Sequence, residues 1–311
     1  MVCRINRDEI ILEDRILIIG NGLLGSEFIK RFSDSDAYYT YRNNIPQSEK
    51  SEFLDITNKN ELRKVILDIN PDIVIHTAAI TDLDWCENNE DEAYNVNTNS
   101  TVYIKNVIQE INSKMIFIST DSVFDGKIGN YEEDSEKNAI NVYSKTKLKA
   151  EKEISSYNKT LIVRGTFYGL RNGMKESFFS YLINKLKKNE KMHVPVNKIS
   201  NGISVEKFSG IVKEMIERDL RGVYHIGSND FKNNFEFAQH FADKFNFNRN
   251  LIERCIFDKI YETKKLTAKR PLNTTLDITK ISKYIEMPYF SQVIDSLYNE
   301  FFSIYGNRLA R

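Results

Sequence analysis

Short apolar segments alternate with longer segments of helical periodicity through the first half of the chain. The apolar, strand-like segments are residues 15–20, 37–42, 51–55, 72–79, 114–120 and 160–165. The segments with apolar side chains at helical spacing are residues 23–32, 60–70, 97–112 and 141–157. A strand–helix–strand series predicts a parallel sheet with helices on both faces, because right-handed crossovers place the helices outside the sheet. We therefore predict an α/β fold with a Rossmann-type doubly wound parallel sheet.

After about residue 166 the alternation becomes irregular. Helices are predicted at residues 176–192, 205–219 and 233–245, and a strand is predicted at residues 221–228. We expect a first domain over residues 1–165, with residues 195–230 returning to it, and a smaller C-terminal lobe formed mainly by residues 166–311. Doubly wound sheets bind ligands at the carboxyl ends of their strands, so we expect a ligand in the cleft between the two parts.

Composition excludes several classes of protein. The 311 residues carry 44 basic and 44 acidic side chains, so no global field favours nucleic acid or an anionic membrane. No apolar run approaches the length of a transmembrane helix, and the first residues show no leader pattern, so we expect a cytoplasmic protein. The three cysteines and four histidines fall into no metal-binding spacing, so we expect reduced thiols and no metal site.

A glycine-rich turn joins the first predicted strand to the first predicted helix. Its residues are Gly20, Asn21, Gly22, Leu23, Leu24 and Gly25, a G-x-G-x-x-G pattern. Such glycines allow a tight turn and let the backbone approach a pyrophosphate, which the N-terminus of the helix then binds. The same pattern also occurs in plain glycine-rich turns, but its place at the start of an alternating series favours a dinucleotide site.

The end of the second predicted strand bears on the choice of cofactor. An NAD site typically has an acidic residue about 20 positions after the glycines, whereas this chain has Tyr41 and Arg42 there. An arginine can bind a 2′-phosphate and stack on adenine, so we predict that NADP(H) is preferred and that NAD(H) is possible. Alternatively, Arg42 is a solvated residue at a strand end. Asp55 and Ile56 follow the third predicted strand and are candidates for the adenine edge.

Three residues of the first domain form a candidate catalytic set. Thr120 ends the strand at 114–120, and Tyr143 and Lys147 lie one turn apart on the helix at 141–157. A tyrosine can donate the proton that a reduced ketone needs, a nearby ammonium lowers the pKa of that tyrosine, and a threonine hydroxyl can orient the same oxygen. Two further pairs share the spacing, Tyr181/Lys185 and Tyr261/Lys265, but they lie outside this domain.

The chain resembles the extended short-chain dehydrogenase/reductases, and within them the dTDP-4-dehydrorhamnose reductase family. The resemblance covers nearly everything after residue 14, and its stretches are residues 18–25, 70–87, 118–126, 141–152 and 270–277. It implies an oxidoreductase that uses NADP(H) to reduce the C4 keto group of a nucleotide-activated 4-keto-6-deoxy sugar. Proteins of this kind usually serve polysaccharide biosynthesis, and a homodimer is possible.

The resemblance also implies roles for individual residues. Thr120, Tyr143 and Lys147 would be catalytic, with Tyr143 and Lys147 also touching the cofactor. The dinucleotide would contact Gly20, Gly22, Leu24, Asp55, Ile56, Ala78, Ala79 and Thr81. The sugar nucleotide would lie near Asp121, Ser122, Phe124, Arg270 and Asn273. The basic stretch 264–270 is either a solvated surface or a site that attracts a diphosphate.

Three departures from the family pattern affect this interpretation. The glycine turn is one residue shorter than the usual G-x-x-G-x-x-G, and Ser122 stands where the family commonly has tyrosine. The family's Ser-Trp pair after strand 160–165 is missing, and Phe167 is the candidate replacement for that tryptophan. The last two changes would line the substrate pocket, so the identity of the sugar stays open.

Two other functions remain open. One is a non-catalytic NADP-binding regulatory subunit resembling that of methionine adenosyltransferase, which keeps the fold and works as a partner. The other is a sugar-nucleotide epimerase or 4,6-dehydratase. Related dehydratases carry Thr-Asp-Glu where this chain has Thr120-Asp121-Ser122, and the missing carboxylate argues against dehydration.

Overall fold

The structure, a computed structural model, describes residues 14–42, 49–170 and 178–306. The strands are β1 (Ile16–Ile19), β2 (Ala37–Tyr41), β3 (Ser51–Phe53), β4 (Ile73–His76), β5 (Lys114–Ile118), β6 (Thr160–Arg164), β7 (Phe167–Tyr168), β8 (Met192–Pro195), β9 (Ile199–Ser200), β10 (Ile203–Ser204), β11 (Gly222–His225), β12 (Lys232–Asn233) and β13 (Ile252–Cys255). The helices are α1 (Leu23–Arg31), α2 (Lys59–Ile69), α3 (Leu83–Asn88), α4 (Glu90–Tyr94), α5 (Ser100–Glu110), α6 (Val142–Ile154), α7 (Phe178–Lys187), α8 (Val205–Glu217), α9 (Asn234–Lys244), α10 (Phe257–Lys264), α11 (Thr279–Ser282) and α12 (Phe290–Tyr305).

Seven parallel strands form the large sheet in the order β11-β6-β5-β4-β1-β2-β3. Strand order reverses between β1 and β4, which is the switch point where doubly wound folds bind ligands. This confirms the predicted Rossmann-type sheet.

The two faces of the sheet are buried by different helices. In β1, Ile16 and Ile18 pack toward α1 and α8, whereas Leu17 and Ile19 pack toward α2 and α5. All four side chains are fully buried, as expected for a central strand covered on both faces. The apolar runs of the sequence thus form the centre of the molecule.

Later parts of the chain return to this sheet and also build a smaller lobe. β11 pairs with β6 at the sheet edge, and α8 packs on α1. The lobe contains three two-stranded sheets, β7 with β10, β9 with β12, and β8 with β13. The strands β8 and β13 and the helices α10 and α12 have no counterpart in the sequence-based prediction, and the boundary between the two domains stays a prediction.

One helix differs from its predicted form. The helix expected at residues 97–112 starts as a π-helix at Asn95–Asn99 and becomes α-helical over Ser100–Glu110. The wide turn buries Asn97, whose side chain bonds the backbone N–H and C=O of Ile80 and the hydroxyl of Thr146. It therefore ties the loop after β4 to the helix that carries Tyr143 and Lys147.

Candidate active site

In the turn after β1, two of the three glycines lie so close to neighbouring atoms that no other residue would fit. Gly20 has φ +102°, and a Cβ there would lie 2.9 Å from Ala78. A Cβ on Gly25 would lie 2.0 Å from the carbonyl oxygen of Gly20, so only glycine lets α1 sit this close to the strand. Gly22 meets nothing within 4 Å and has no side chain to cap α1. The first turn of α1 therefore faces open space with its N–H groups unblocked by a capping side chain, as a phosphate site needs.

A cavity of about 340 Å³ lies at the carboxyl ends of β1, β2 and β4. Eight of the predicted cofactor residues line it, namely Gly20, Asn21, Gly22, Tyr41, Arg42, Ile56, Ala78 and Ala79. Five others were not predicted, namely Thr40, Leu54, Thr77, Ile80 and Val96. Thr40 accepts a hydrogen bond from the N–H of Gly20 at 3.2 Å, so the second strand helps to hold the glycine turn.

The remaining predicted cofactor residues do not line this cavity. Leu23 and Leu24 pack on the core beneath α1, and Gly25 contacts the turn itself. Thr81 is exposed on the loop after β4. These residues shape or flank the cavity, and any direct contact of theirs with a cofactor stays a prediction.

Asp55 and Arg42 form an ion pair at the rim of the cavity, 3.4 Å between carboxylate and guanidinium. The Asp55 carboxylate also accepts hydrogen bonds from the N–H and hydroxyl of Thr57 at 3.0 and 2.7 Å. These bonds, aided by the charge of Arg42, hold the pKa of Asp55 below its usual value. Asp55 is thus paired with Arg42, which lines the cavity, and its predicted contact with the adenine edge stays a prediction.

The candidate catalytic residues meet beside this cavity. Thr120 follows β5 and caps a short 3₁₀-helix (Asp121–Val123) by accepting from the N–H of Ser122 at 3.2 Å. Tyr143 lies in the first turn of α6, whose start is fixed by the cap Asn141 and by Glu87, which accepts from the N–H of Val142 at 2.9 Å. The side chains of Thr120 and Tyr143 lie close enough to interact.

Burial dominates the ionisation of this set. It raises the pKa of Tyr143 above its usual range, although the interaction with Thr120 opposes the change. This corrects the expectation that Lys147 lowers the pKa of Tyr143 here. Lys147 is 3% exposed, its ammonium lies 3.8 Å from the centre of the Phe117 ring, and burial lowers its pKa to about 7.

The candidate substrate residues divide into two groups. Asp121 is buried and accepts hydrogen bonds from the hydroxyls of Thr120 and Ser122, each at 3.2 Å. Phe124 is fully buried and stacks on Tyr131, with ring centres 4.3 Å apart. Its predicted place near the sugar nucleotide stays a prediction.

Phe167 is half-buried and packs edge-on against Phe208 at 5.3 Å. The Asn273 amide holds its own loop, with its oxygen accepting from the hydroxyl of Thr275 at 2.9 Å and its nitrogen donating to the carbonyl of Ile128 at 3.3 Å. Their predicted substrate contacts stay predictions.

Arg270 is held by a partner that the sequence did not reveal. Two of its nitrogens bond the carboxylate of Asp84 at 2.5 and 3.2 Å, across 186 residues of chain. Asp84 also accepts from the backbone of Thr267 and Ala268. Burial opposes the ionisation of Asp84, but these hydrogen bonds outweigh it and hold the pKa of Asp84 well below its usual value. The contact joins α3, beside the first cavity, to the loop of the smaller lobe.

A second cavity of about 280 Å³ lies in the smaller lobe. Aromatic and basic side chains dominate its lining, with Phe178, Tyr181, Phe257, His193, Lys198, Lys264 and Arg270 among them. Lys198 is half-buried and interacts electrostatically with both Asp121 and Arg270, so this cavity adjoins the 3₁₀-helix that follows Thr120. Both further Tyr/Lys pairs lie in the smaller lobe, where Lys185 pairs with Glu190 and Tyr261 donates to the carbonyl of Ala268.

The described residues contain no group of three His, Cys, Asp or Glu side chains able to hold a metal ion. Across the described parts of the chain, no helix is long and apolar enough to span a membrane.

The sheet order, the glycine turn at the switch point and the Thr/Tyr/Lys set define an extended short-chain dehydrogenase/reductase. A family model described as RmlD substrate binding domain matches residues 14–302, and the chain belongs to that family.

Relatives of two kinds are similar over most of the chain. Methionine adenosyltransferase 2 subunit beta of Bos taurus is 26% identical over 292 residues, which cover 90% of this chain and 85% of that protein. The dTDP-4-dehydrorhamnose reductase of Aggregatibacter actinomycetemcomitans is 28% identical over 279 residues, covering 86% and 92%. The solved structure of dTDP-4-dehydrorhamnose reductase from Bacillus anthracis str. Ames in complex with NADP is 26% identical and has a TM-score of 0.83, covering 93% of this chain and all of that one.

Proposed function

We propose that this protein is an NADPH-dependent reductase of the C4 keto group of a nucleotide-activated 4-keto-6-deoxy sugar. The observation that carries the proposal is that Thr120 and Tyr143 come together beside a cavity built on a glycine turn. The similarity to a dTDP-4-dehydrorhamnose reductase supports the same reaction.

The first cavity fits a dinucleotide phosphate. A Cβ atom at Gly20 or Gly25 would fill the space at the glycine turn or push α1 away from it. The N-terminus of α1 supplies N–H donors for the phosphates. Arg42 at the rim offers a guanidinium to a 2′-phosphate, which favours NADPH over NADH. When bound there, the nicotinamide would supply the hydride.

The protein's own residues would handle the proton and the developing charge. Tyr143 donates its phenolic proton to the carbonyl oxygen as that oxygen gains charge, and Thr120 orients the same oxygen. Tyr143 is protonated at neutral pH, so the proton is in place before reduction. Lys147, protonated, would offset the phenolate left behind and hold the ribose.

The second cavity is the candidate site for the nucleoside diphosphate of the substrate. Aromatic rings such as Tyr181 and Phe257 suit a base, and Lys198, Lys264 and Arg270 suit a diphosphate. Through Lys198 this cavity adjoins Asp121, so a sugar attached to the diphosphate would extend toward Thr120.

The test is NADPH oxidation with dTDP-4-dehydro-L-rhamnose generated in place, with NADH in parallel. We expect Tyr143→Phe to lower kcat by about a hundredfold or more, because it removes the proton donor and keeps the ring. Tyr157→Phe is the matched control, since it removes a buried phenol bonded to the carbonyl of Ser113 at 2.5 Å, away from the site. Full turnover by Tyr143→Phe would show that the mechanism is wrong.

A second candidate function rests on the similarity to methionine adenosyltransferase 2 subunit beta. In that case the protein would bind NADPH and act as a partner subunit without turnover. NADPH binding, no oxidation with any keto-sugar nucleotide, and a co-purifying methionine adenosyltransferase would favour it.

A dehydratase is disfavoured, because the Ser122 hydroxyl, bonded to Asp121, stands where a second carboxylate is needed. That the protein forms a homodimer stays a prediction. The molar mass of the purified protein, measured by light scattering, tests it.

A further inference from the structure

A buried polar cluster lies behind the candidate catalytic lysine, and the function proposed above does not use it. Glu151 follows Lys147 by one turn of α6, on the same face of the helix. Arg164 of β6 bonds the Glu151 carboxylate with Nη2 at 2.6 Å and Nε at 3.0 Å, and the Ser119 hydroxyl donates to it as well. The Arg164 and Glu151 side chains are only 3% and 5% exposed.

This arrangement fixes the carboxylate in one position. The fork of Arg164 is itself anchored, because Nη1 donates to the carbonyl of Glu133 at 3.1 Å and lies 3.3 Å from Nε2 of His225. The Glu151 carboxylate is therefore held in one place by a buried ion pair with Arg164.

Lys147 has surroundings that would otherwise favour a neutral amine. Its ammonium rests on the Phe117 ring, and burial disfavours the charged form. From β4 it faces His76, which is neutral because burial and the charge of Lys147 lower the pKa of His76 to about 3. Tyr143, on the same helix, is neutral because its pKa is raised.

The other charges on neighbouring elements are directed elsewhere. Arg164 of β6 directs Nε and Nη2 at Glu151, and Asp121, after β5, lies close enough to influence Tyr143. The Glu151 carboxylate is the charge that raises the pKa of Lys147 against burial.

We propose that Glu151 is a positioning residue whose clamped carboxylate favours the protonated form of the Lys147 amine at the candidate catalytic site. Its importance for catalysis rests on the proposed function, in which Lys147 must carry a positive charge beside Tyr143. The charge of Lys147 can be measured independently of any substrate.

The measurement is an NMR titration of protein labelled with ¹³C at lysine Cε, with the Lys147 signal assigned by its loss in Lys147→Arg. In Glu151→Gln the pKa of Lys147 should fall by about one pH unit or more, as expected when an opposite charge is removed from a buried amine. The matched control is Glu153→Gln, on the exposed face of the same helix, where the carboxylate pairs with Lys149 at 3.1 Å. It should leave the Lys147 titration unchanged.

Glu151→Gln leaves Arg164 buried without its partner, and this can prevent folding. The double variant Glu151→Gln/Arg164→Met removes both charges and is the second test of the proposal. An unchanged Lys147 titration in either folded variant overturns the inference. Failure of the wild type to bind NADPH would instead overturn the proposed function and leave the titration result intact. In active protein, the fall of turnover at high pH should move to lower pH in Glu151→Gln and stay in place in Glu153→Gln.

Discussion

Arg42 offers a direct test of cofactor choice, because it lines the first cavity and its side chain is half exposed. Replacing it with alanine removes the guanidinium that would meet a 2′-phosphate. We expect NADPH to bind Arg42→Ala more weakly, while NADH, which has no such phosphate, binds nearly as it does to the wild type.

The size of the effect follows from the geometry. A hydrogen bond to a charged group contributes about 1.5–3 kcal/mol. Arg42 is 56% exposed and already pairs with Asp55 at 3.4 Å, so solvent screening and that competing partner place its contribution at the low end of this range. A loss of about 1.5 kcal/mol corresponds to an affinity lowered about tenfold.

The assay is isothermal titration of both cofactors, supported by kcat/KM with each. Arg63→Ala is the matched control, since Arg63 is similarly exposed and pairs with Glu110 at 2.6 Å away from the cavity. An equal loss of affinity for NADPH and NADH, or no loss for either, would refute the role given to Arg42.

Two further predictions concern the glycine turn and a buried acid. Gly25→Ala should abolish NADPH binding and lower the Tm, because its Cβ would lie 2.0 Å from the Gly20 oxygen. Gly22→Ala is the control and should fold normally, because a Cβ there meets nothing within 4 Å. Equal Tm values for the two variants would contradict this prediction. Burial raises the pKa of Glu300 from 4.5 to about 7. Between these two pH values Glu300 is protonated in the folded protein and ionised in the unfolded chain, so the free energy of unfolding falls as pH rises from 4.5 to about 7. Glu300→Gln keeps an acceptor for the N–H of Leu170, and its Tm relative to the wild type should increase from about pH 5 to about pH 8. A difference independent of pH would show that Glu300 ionises normally.

The alternation of strands and helices in the first half of the chain was predictable from the sequence. Each helix and each strand buries side chains at the spacing typical of its own type of secondary structure. The run at 15–20 became β1 with both faces covered, and the apolar stripe at 60–70 became α2. Short strands of the smaller lobe were missed. Among the described residues β8 and β13 pair only with each other, across 60 residues, so their pattern depends on a partner distant in sequence.

The candidate site was predictable where its chemistry is local. The glycine turn lies between two adjoining elements, and Tyr143 and Lys147 share one helix face, so spacing alone placed them together. The ionisation of the pair was not predictable. The pKa of a side chain depends on burial and on every nearby charge, and the sequence expectation for Tyr143 considered only Lys147.

What the sequence by itself determined is the order of the elements, the turn at the switch point and the residue types that end the strands, because these depend on periodicity and backbone sterics over short spans. Only the tertiary structure decided which side chains meet across long separations. In the folded chain Asp84 pairs with Arg270 and Glu151 pairs with Arg164. Phe124 is buried and stacks on Tyr131. The physical reason is that ion pairing and burial act through space, and the packing of the whole chain sets the distances.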